Sequence, residues 1–415
     1  MIRTPLSTVI GGAFWTPGAT VIGGTSKKTF DQIIQSIFAN NEQGFFYDPN
    51  DLSTMFQDAA GTIPVTAAGQ PVGLMLDKSK GVVIGSEKVV NPDFDSDTAW
   101  VKGANATISN GSAIFNGATG NPVLSQNVGI TAGKWYEVTV NVAEATAGVI
   151  TLRIYGTGGS DVILSANTVG VYKVLALARS DATGLIGFSA LLTSVKLSSV
   201  SVKELAGNHA YQTNSTSRPI LRKNAVTGAN YLEFDGTDDF LQTSNIDFTA
   251  TDKVSLFAGV RKLSDVVGAV VIELSASITN TGTFLLQAPM NSSIGNYGVR
   301  LNGNVVYGFV SAATLNNYPS PTSNILTAKM DISAQDLKEV TLRTNAANTV
   351  YNSTPLVGTG NFGNHPLYIG RRGGTSLPFN GHIYGLIGIG KLTTDDETVA
   401  IEKELAKRTG VSLNV

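Results

Sequence analysis

The 415-residue chain has no cysteine. Disulfides, thiolate metal centres and thiol nucleophiles are therefore excluded, and the composition suits folding in a reducing compartment. Charge is scarce as well: 14% of residues are charged, the net charge is -2 and the pI is about 6.0. No Lys/Arg-dense stripe occurs, so the electrostatic footprint of a nucleic-acid binder is missing and no nucleic-acid partner is expected. No apolar run reaches the roughly eighteen residues that mark a membrane-spanning helix, and no membrane insertion is expected. The opening Met1-Ile2-Arg3-Thr4-Pro5-Leu6-Ser7 carries one basic residue and is followed by Gly11-Gly12 and Pro17-Gly18. A secretory leader needs an unbroken apolar stretch there, so none is expected. The three histidines, His209, His365 and His382, are scattered. Without a His-x-x-x-His pair, a Gly-x-Ser-x-Gly elbow, a phosphate loop or a Glu-x-Asp-x-x-Glu run, no enzyme is expected and no catalytic residue is assigned.

What is present points to strands. Forty-five glycines and 42% hydrophobic residues, with many Val, Ser, Thr and Asn, favour short strands and tight turns. The expected class is mainly β: two antiparallel β-sandwiches of jelly-roll type, with a short helix-containing N-terminal segment and a C-terminal helix. Tyr136–Val142 and Val195–Ser198 alternate at period two, as do Tyr297–Asn302 and Val340–Arg343. Val254–Val260 and Val270–Leu274 are apolar enough to be buried strands. Tyr231–Leu241 reads as strand, tight turn and strand, with Gly236 free to take positive φ. The C-terminal helix is signed by a capping box, Thr394 and Glu397, and by Gly410 at its end.

Residues 1–43 are expected to form a docking or oligomerisation segment. Thr8-Val9-Ile10-Gly11-Gly12 recurs as Thr20-Val21-Ile22-Gly23-Gly24, with Phe14 and Trp15 between. So much apolar surface in a Gly-broken stretch demands a partner. Phe30, Ile33, Ile34, Ile37 and Phe38 follow at helical spacing, with Ser26 or Thr25 as N-cap. That face either covers the chain's own sandwich or packs on a symmetry mate or a partner protein.

Phe45-Phe46-Tyr47-Asp48-Pro49-Asn50-Asp51 through Asp77-Lys78-Ser79 resembles the opening of concanavalin A-like (laminin-G-like) domains in tailed-bacteriophage and prophage structural proteins. The rest of the family phrase resumes only at Gly207-Asn208-His209-Ala210, Ser217-Arg218-Pro219 and Phe234-Asp235-Gly236-Thr237-Asp238-Asp239. The expected organisation is a discontinuous domain, 44–80 and 207–415, interrupted by an inserted one at 81–206. The insert, from Glu87-Lys88-Val89-Val90-Asn91-Pro92 to Val195–Leu205, is similar to carbohydrate-binding-module jelly rolls. That resemblance implies sugar stacking by aromatic side chains, and the candidates are Trp100, Trp135, Tyr136, Tyr155 and Tyr172. Trp100 and Trp135 stand where the family builds its core, and core is the preferred reading for those two. A structural calcium is the one cofactor considered, with Asp93, Asp95 and Asp97 or Asp235, Asp238 and Asp239 as oxygen donors; turn formation is preferred for both sets. Arg371-Arg372 reads as a solvated turn. The resemblances imply a virion structural protein, made in the host cytoplasm and assembled with other virion proteins. A short fibre, tail appendage or head decoration is expected, as a homo-oligomer and specifically a trimer, adhering to host-surface polysaccharide. A purely architectural role without ligand is the alternative, and a depolymerase stands third.

Overall fold

The computed structural model describes residues 8–10, 13–15, 29–291, 295–303, 310–314, 317–334, 337–352 and 359–413. The chain is mainly β, and its strand pairs are antiparallel. Two sheets face each other. One has nine strands and runs from Val310–Ala313 at one edge, through Val270–Leu274, Asn364–Ile369 and Leu241–Asp247, to Met55–Phe56 at the other. The other has eight strands and centres on Asn380–Ile389 and Lys253–Lys262. Phe45, Leu256, Phe284, Val299 and Leu342 are among the side chains buried between them.

Strand Lys253–Lys262 shows why its sequence does not alternate. Val254, Leu256, Ala258 and Val260 enter the core between the sheets, while Phe257 points the other way into a second apolar cluster. The cover on that outer face is helical. Helix α1 (Phe30–Ile37) and helix α2 (Asp395–Thr409) lay Ile34, Ile37, Ile401 and Leu405 against Phe257, Ile325 and Ile387. Helix α2 carries the expected capping box, Thr394 with Glu397, and ends on Gly410 at φ 78°. For α1 the N-cap is Thr29, which forms a capping box with Gln32, rather than Ser26 or Thr25. A box needs Gln or Glu three residues on, and Thr29 has it.

The stripe on α1 is therefore covered by the chain itself. Ile34, Ile37 and Phe38 are buried, and Phe30 and Ile33 are half-buried. Their apolar content thus requires no second copy, which corrects the docking role given to Ile34, Ile37 and Phe38. Upstream, Thr8–Ile10 and Ala13–Trp15 pair antiparallel with Val9 opposite Phe14. The docking expected of the Phe14 and Trp15 side chains lies outside the described residues.

The turn Asp235–Asp239 is not a hairpin. Asn230–Asp235 belongs to the eight-stranded sheet and Leu241–Asp247 to the nine-stranded one. Phe234 and Leu241 both bury in the core between the sheets, so the chain crosses layers there. Gly236, at φ 78°, makes the turn as expected.

Among the described residues, the strands between Ile84 and Leu205 pair only with one another. The 24-residue strand Ala182–Leu205 is their spine: it pairs along its length with Ala113–Asn127, and also with Ile150–Gly156 and Trp135–Ala147. Tyr136, Val138, Val140, Leu152, Ile154 and Phe188 fill a core of its own. A separate small cluster joins the two bodies: Leu74 and Leu76 from one side meet Trp135, Leu175 and Leu205 from the other. Leu175 N–H also donates to the Ala60 carbonyl at 2.8 Å.

Two outcomes are expected. Deleting 81–206 and joining Lys80 to Gly207 should leave a folded sandwich that self-associates, because Leu74 and Leu76 lose their cover; light scattering should show monomer only after both are made polar, and an unfolded product with or without those changes would refute separability. In α2, Arg408 makes a bidentate pair with buried Asp48 at 2.7 and 3.1 Å and lies 4.8 Å from the Phe30 ring centroid. Arg408→Met leaves that carboxylate without its main partner and should cost about 3 kcal/mol in urea unfolding.

Candidate functional site

Strand Ile150–Gly156 alternates cleanly. Ile150, Leu152 and Ile154 enter the insert's core, so Thr151, Arg153 and Tyr155 line its outward face. Gly187, opposite Arg153 on the neighbouring strand, is what lets this face be flat. A Cβ there would stand 3.0 Å from Tyr155 Cε2 and 2.9 Å from Pro122 Cβ, so the tyrosine ring occupies that space.

The polar groups on this face hold one another. Arg153 Nε donates to Ser189 Oγ at 2.9 Å, and its Nη1 reaches Ser160 Oγ at 3.3 Å. Tyr155 Oη donates to Asn121 Oδ1. Burial pushes the Tyr155 hydroxyl up from its ordinary value, with Arg153 pulling weakly the other way, so it stays a neutral donor. Beside them opens a groove of about 640 Å³, lined by Thr119, Asn121, Thr151, Arg153, Ser189 and Leu191 among others. Its rim is apolar: Val149 is 45% exposed, Leu191 71% and Leu192 70%. Leu192 holds φ at 47°, with its N–H donated to Thr119 Oγ1 at 3.0 Å. A leucine in left-handed conformation is costly and persists only where its surroundings fix it. Among the described residues Arg153 has no carboxylate partner. A guanidinium, hydroxyls, an amide, a phenol and an apolar rim together complement a ligand with many hydroxyls and apolar C–H faces.

The aromatic candidates do not converge. Tyr155 does not line this groove but holds Asn121, which does. Tyr172 lies on strand Gly170–Leu177 opposite Val140, leans on the insert's core and bonds Thr168 Oγ1 at 2.6 Å. Trp100 is a correction to the binding set: it is buried, packs against Phe94 and Phe188, and donates Nε1 to the Asn91 carbonyl at 3.3 Å. Trp135 is 3% exposed and cannot offer its ring face to a sugar; it sits on the opposite side of its strand from Tyr136, in the cluster joining the two bodies. Tyr136 is fully buried. Arg153, Asn121 and Ser189 were missed, although the alternation Thr151-Leu152-Arg153-Ile154-Tyr155 already puts Arg153 beside Tyr155.

The acidic candidates separate into two outcomes. Asp93, Asp95 and Asp97 are exposed, and Asp97 pairs with Lys102. Asp235, Asp238 and Asp239 do meet, with one carboxylate oxygen from each within 4.8 Å of the others. Every one of the three is already an acceptor: Asp235 from the Thr237 N–H, Asp238 from Ser217 Oγ, Asp239 from the Asp235 N–H. Three such oxygens fall short of the six or more a calcium site takes, and the turn-forming role fits them. Arg372 pairs with buried Glu273 at 2.8 Å, and Arg371 donates to the Thr375 carbonyl, so neither is a free anion clamp. The histidines remain apart: His209 is buried, His382 stacks on Tyr231 at 4.0 Å, and His365 Nε2 lies 2.9 Å from the Thr281 carbonyl.

No known protein family and no curated protein matches the chain. Among solved structures, the chain is similar to the CBM40 of Ruminococcus gnavus IT-sialidase (16% identity, TM-score 0.29), across 39% of this chain and 97% of that one. It is also similar to a SAP-like pentraxin from Limulus polyphemus (10%, 0.32; 44% and 81% of the two chains). A third is the botulinum neurotoxin serotype D ligand binding domain in complex with N-acetylneuraminic acid (12%, 0.34; 47% and 48%).

Asp239 supplies a pH test of the turn. Burial first, then repulsion from Asp235, Asp238 and Glu233, raises its carboxyl from 3.8 to about 7. Its folded-state pKa exceeds the unfolded one, so the folded state binds the extra proton and stability falls as pH rises from 3.8 through about 7. Asp239→Asn keeps the acceptor for the Asp235 N–H and removes that fall. Urea midpoints across this range should show the variant gaining on the parent up to about pH 7 and not beyond; parallel curves would refute the assignment.

Proposed function

We propose that the protein is a non-enzymatic virion structural protein of a tailed bacteriophage that binds an acidic host-surface saccharide across the outward face of its insert. The observation that carries the binding reading is Arg153: a guanidinium without a carboxylate partner among the described residues, oriented by Ser189 and Ser160 beside Tyr155 and an apolar rim. A uronic or sialic acid brings the carboxylate such a fork takes in two parallel bonds, and its ring brings the C–H face that the rim accepts. The residues lining the groove include no carboxylate and no histidine, so the acid and base of glycoside hydrolysis have no place in it.

The virion assignment draws support from the resemblance of Phe45–Ser79 and Gly207–Asp239 to concanavalin A-like domains of phage structural proteins. A short fibre, tail appendage or head decoration fits a chain with no heptad stalk or long repeat. A shallow groove binds weakly on its own, and several copies on one particle, as in a trimer, raise the effective concentration without new contacts.

On a glycan array carrying sialylated, uronic-acid and neutral saccharides, the protein should bind the acidic ones and release no reducing ends. Arg153→Ala should weaken that binding about tenfold or more, the value of a charge-assisted hydrogen bond; Tyr155→Ala should weaken it less. Retention of full binding by both variants, or an array without acidic hits, would refute the reading.

A further inference from the structure

A second cavity, of about 740 Å³, lies where the insert meets the sandwich, and its walls come from both. From the sandwich come Tyr211, Gln242 and Tyr368, which are neighbours in register across three strands. The strand carrying Gln242 breaks register between Gln242 and Asn245. At that break Thr243 Oγ1 accepts the Leu367 N–H at 3.0 Å, and Ser244 Oγ is left buried with no hydrogen-bond partner among the described residues. Bulges of this kind re-aim side chains and are common beside binding sites. From the insert come Trp135, the turn Ala132-Gly133-Lys134 and Arg179. Gly133, at φ 72°, approaches closely enough that a Cβ on it would lie 3.9 Å from Ser244 Cβ across the cavity.

Trp135 gives the cavity its second signal. The indole is 3% exposed, packs edge-on to Tyr211 at 5.6 Å, and its Nε1 makes no hydrogen bond among the described residues. A buried indole N–H normally finds an acceptor, because one left unpaired has given up its hydrogen bond to water without replacement. Here a donor (Trp135 Nε1) and a hydroxyl that both donates and accepts (Ser244 Oγ) stand unpaired in the walls of one cavity. Gln242 and the tyrosine phenols lie beside them, the Gln242 amide 3.5 Å from Tyr211 Oη.

Charge selects the ligand class. The charged walls are Lys134 and Arg179 against Asp161 and Asp247, and His209, also in the lining, is kept neutral by desolvation. Arg179 already pairs with Asp161 at 2.8 Å and with Asp181, and Asp247 accepts from the Thr249 N–H at 2.9 Å. No sign is in excess, which disfavours an ionic ligand and suits one that offers only hydroxyls and amides. Pockets at domain junctions with aromatic walls and a few convergent polar groups are the usual form of a small-molecule site.

We propose that this junction cavity is a second binding site, for a neutral oligosaccharide, with Trp135 Nε1, Ser244 Oγ and Gln242 as its polar contacts and Tyr211 and Tyr368 as its walls. It stands on its own geometry and not on the acidic-sugar reading of the outward face.

The test uses the full-length, ¹⁵N-labelled chain and follows the Trp135 indole N–H resonance, assigned with Trp135→Phe, during titration with maltotriose, cellotriose and triacetylchitotriose at millimolar concentration. At least one should move that resonance saturably. Arg153→Ala, which impairs the outward face, should leave the titration unchanged, whereas Gln242→Ala and Tyr368→Ala should each weaken it about tenfold. The Trp100 indole, bonded within the insert's own core, reports whether the insert is folded in each variant, and the Phe46 amide, donated to buried Asp77, reports the same for the sandwich. Ser244→Ala removes only one oxygen and serves should the larger substitutions disturb that reporter. No movement with any of the three sugars overturns the proposal. So does a shift that Arg153→Ala abolishes, which assigns the signal to the outward face, or one indifferent to Gln242, Tyr368 and Ser244.

Discussion

One buried carboxylate holds the interrupted sandwich together. Asp77 is fully buried and accepts four hydrogen bonds: from the Phe46 N–H, from the Ser79 N–H and hydroxyl, and from the Asn208 N–H, all between 2.8 and 2.9 Å. Its own N–H donates to His209 Nδ1 at 2.9 Å. The chain before the insert and the chain after it are thereby clamped to one residue, with Oδ2 taking a donor from each side. Burial raises the Asp77 carboxyl above its ordinary value, and the donors oppose that shift. His209 is pushed the other way, to about 3, by the same desolvation. It is therefore neutral, with Nδ1 as the acceptor the Asp77 N–H needs. Removing several donors from so buried a carboxylate would cost several kcal/mol, which is why the two cut ends cannot drift apart.

Around that clamp the rest follows. Asn208 reaches the Gly44 carbonyl with its amide at 2.7 Å, and Tyr47 donates its hydroxyl to the Asn208 carbonyl. Strand Gly44–Tyr47 then lies against Asn380–Ile389, whose outer face needs the two helices as cover. The insert leaves after Lys80 and returns at Gly207, beginning and ending near strand Leu74–Met75, which pairs with Ala210–Tyr211. Trp135, Leu175 and Leu205 come down on Leu74 and Leu76 as a result. The apolar contact between the two bodies is a consequence of where the chain was opened.

Much of this was legible in the residues, and what was not has physical reasons. Alternation marks Tyr136–Val142 and Thr151–Tyr155 because each has one apolar partner face, and the capping box of α2 is local chemistry. The stripe on α1 could be read but not its partner: five apolar side chains at helical spacing say that something covers them, and a sheet 220 residues downstream in sequence order, near Phe257, is as good a cover as another copy. The Asp235–Asp239 turn has the residues of a hairpin, and only the burial of Phe234 and Leu241 in one interlayer core sends its two arms into different sheets. Tyr155 was visible as an aromatic, while the junction cavity was not, since its walls come from six stretches split between two bodies, and no local pattern records how those meet.

That origin has a thermodynamic consequence. A ligand touching Trp135 on one side and Gln242 on the other is bound only while the two bodies keep their relative placement, so binding and placement are linked and each favours the other by the same factor. At a hundred times its dissociation constant such a ligand would add about 2.7 kcal/mol to the docked arrangement. The contact it would reinforce is small, five buried apolar side chains, so that increment is a substantial fraction of what holds the insert in place. A sugar on the outward face, more than a strand's width from the junction and touching the insert alone, has no such leverage. The two sites would therefore differ in kind: one able to anchor the protein to a surface, the other able to fix how its two bodies are disposed when it does.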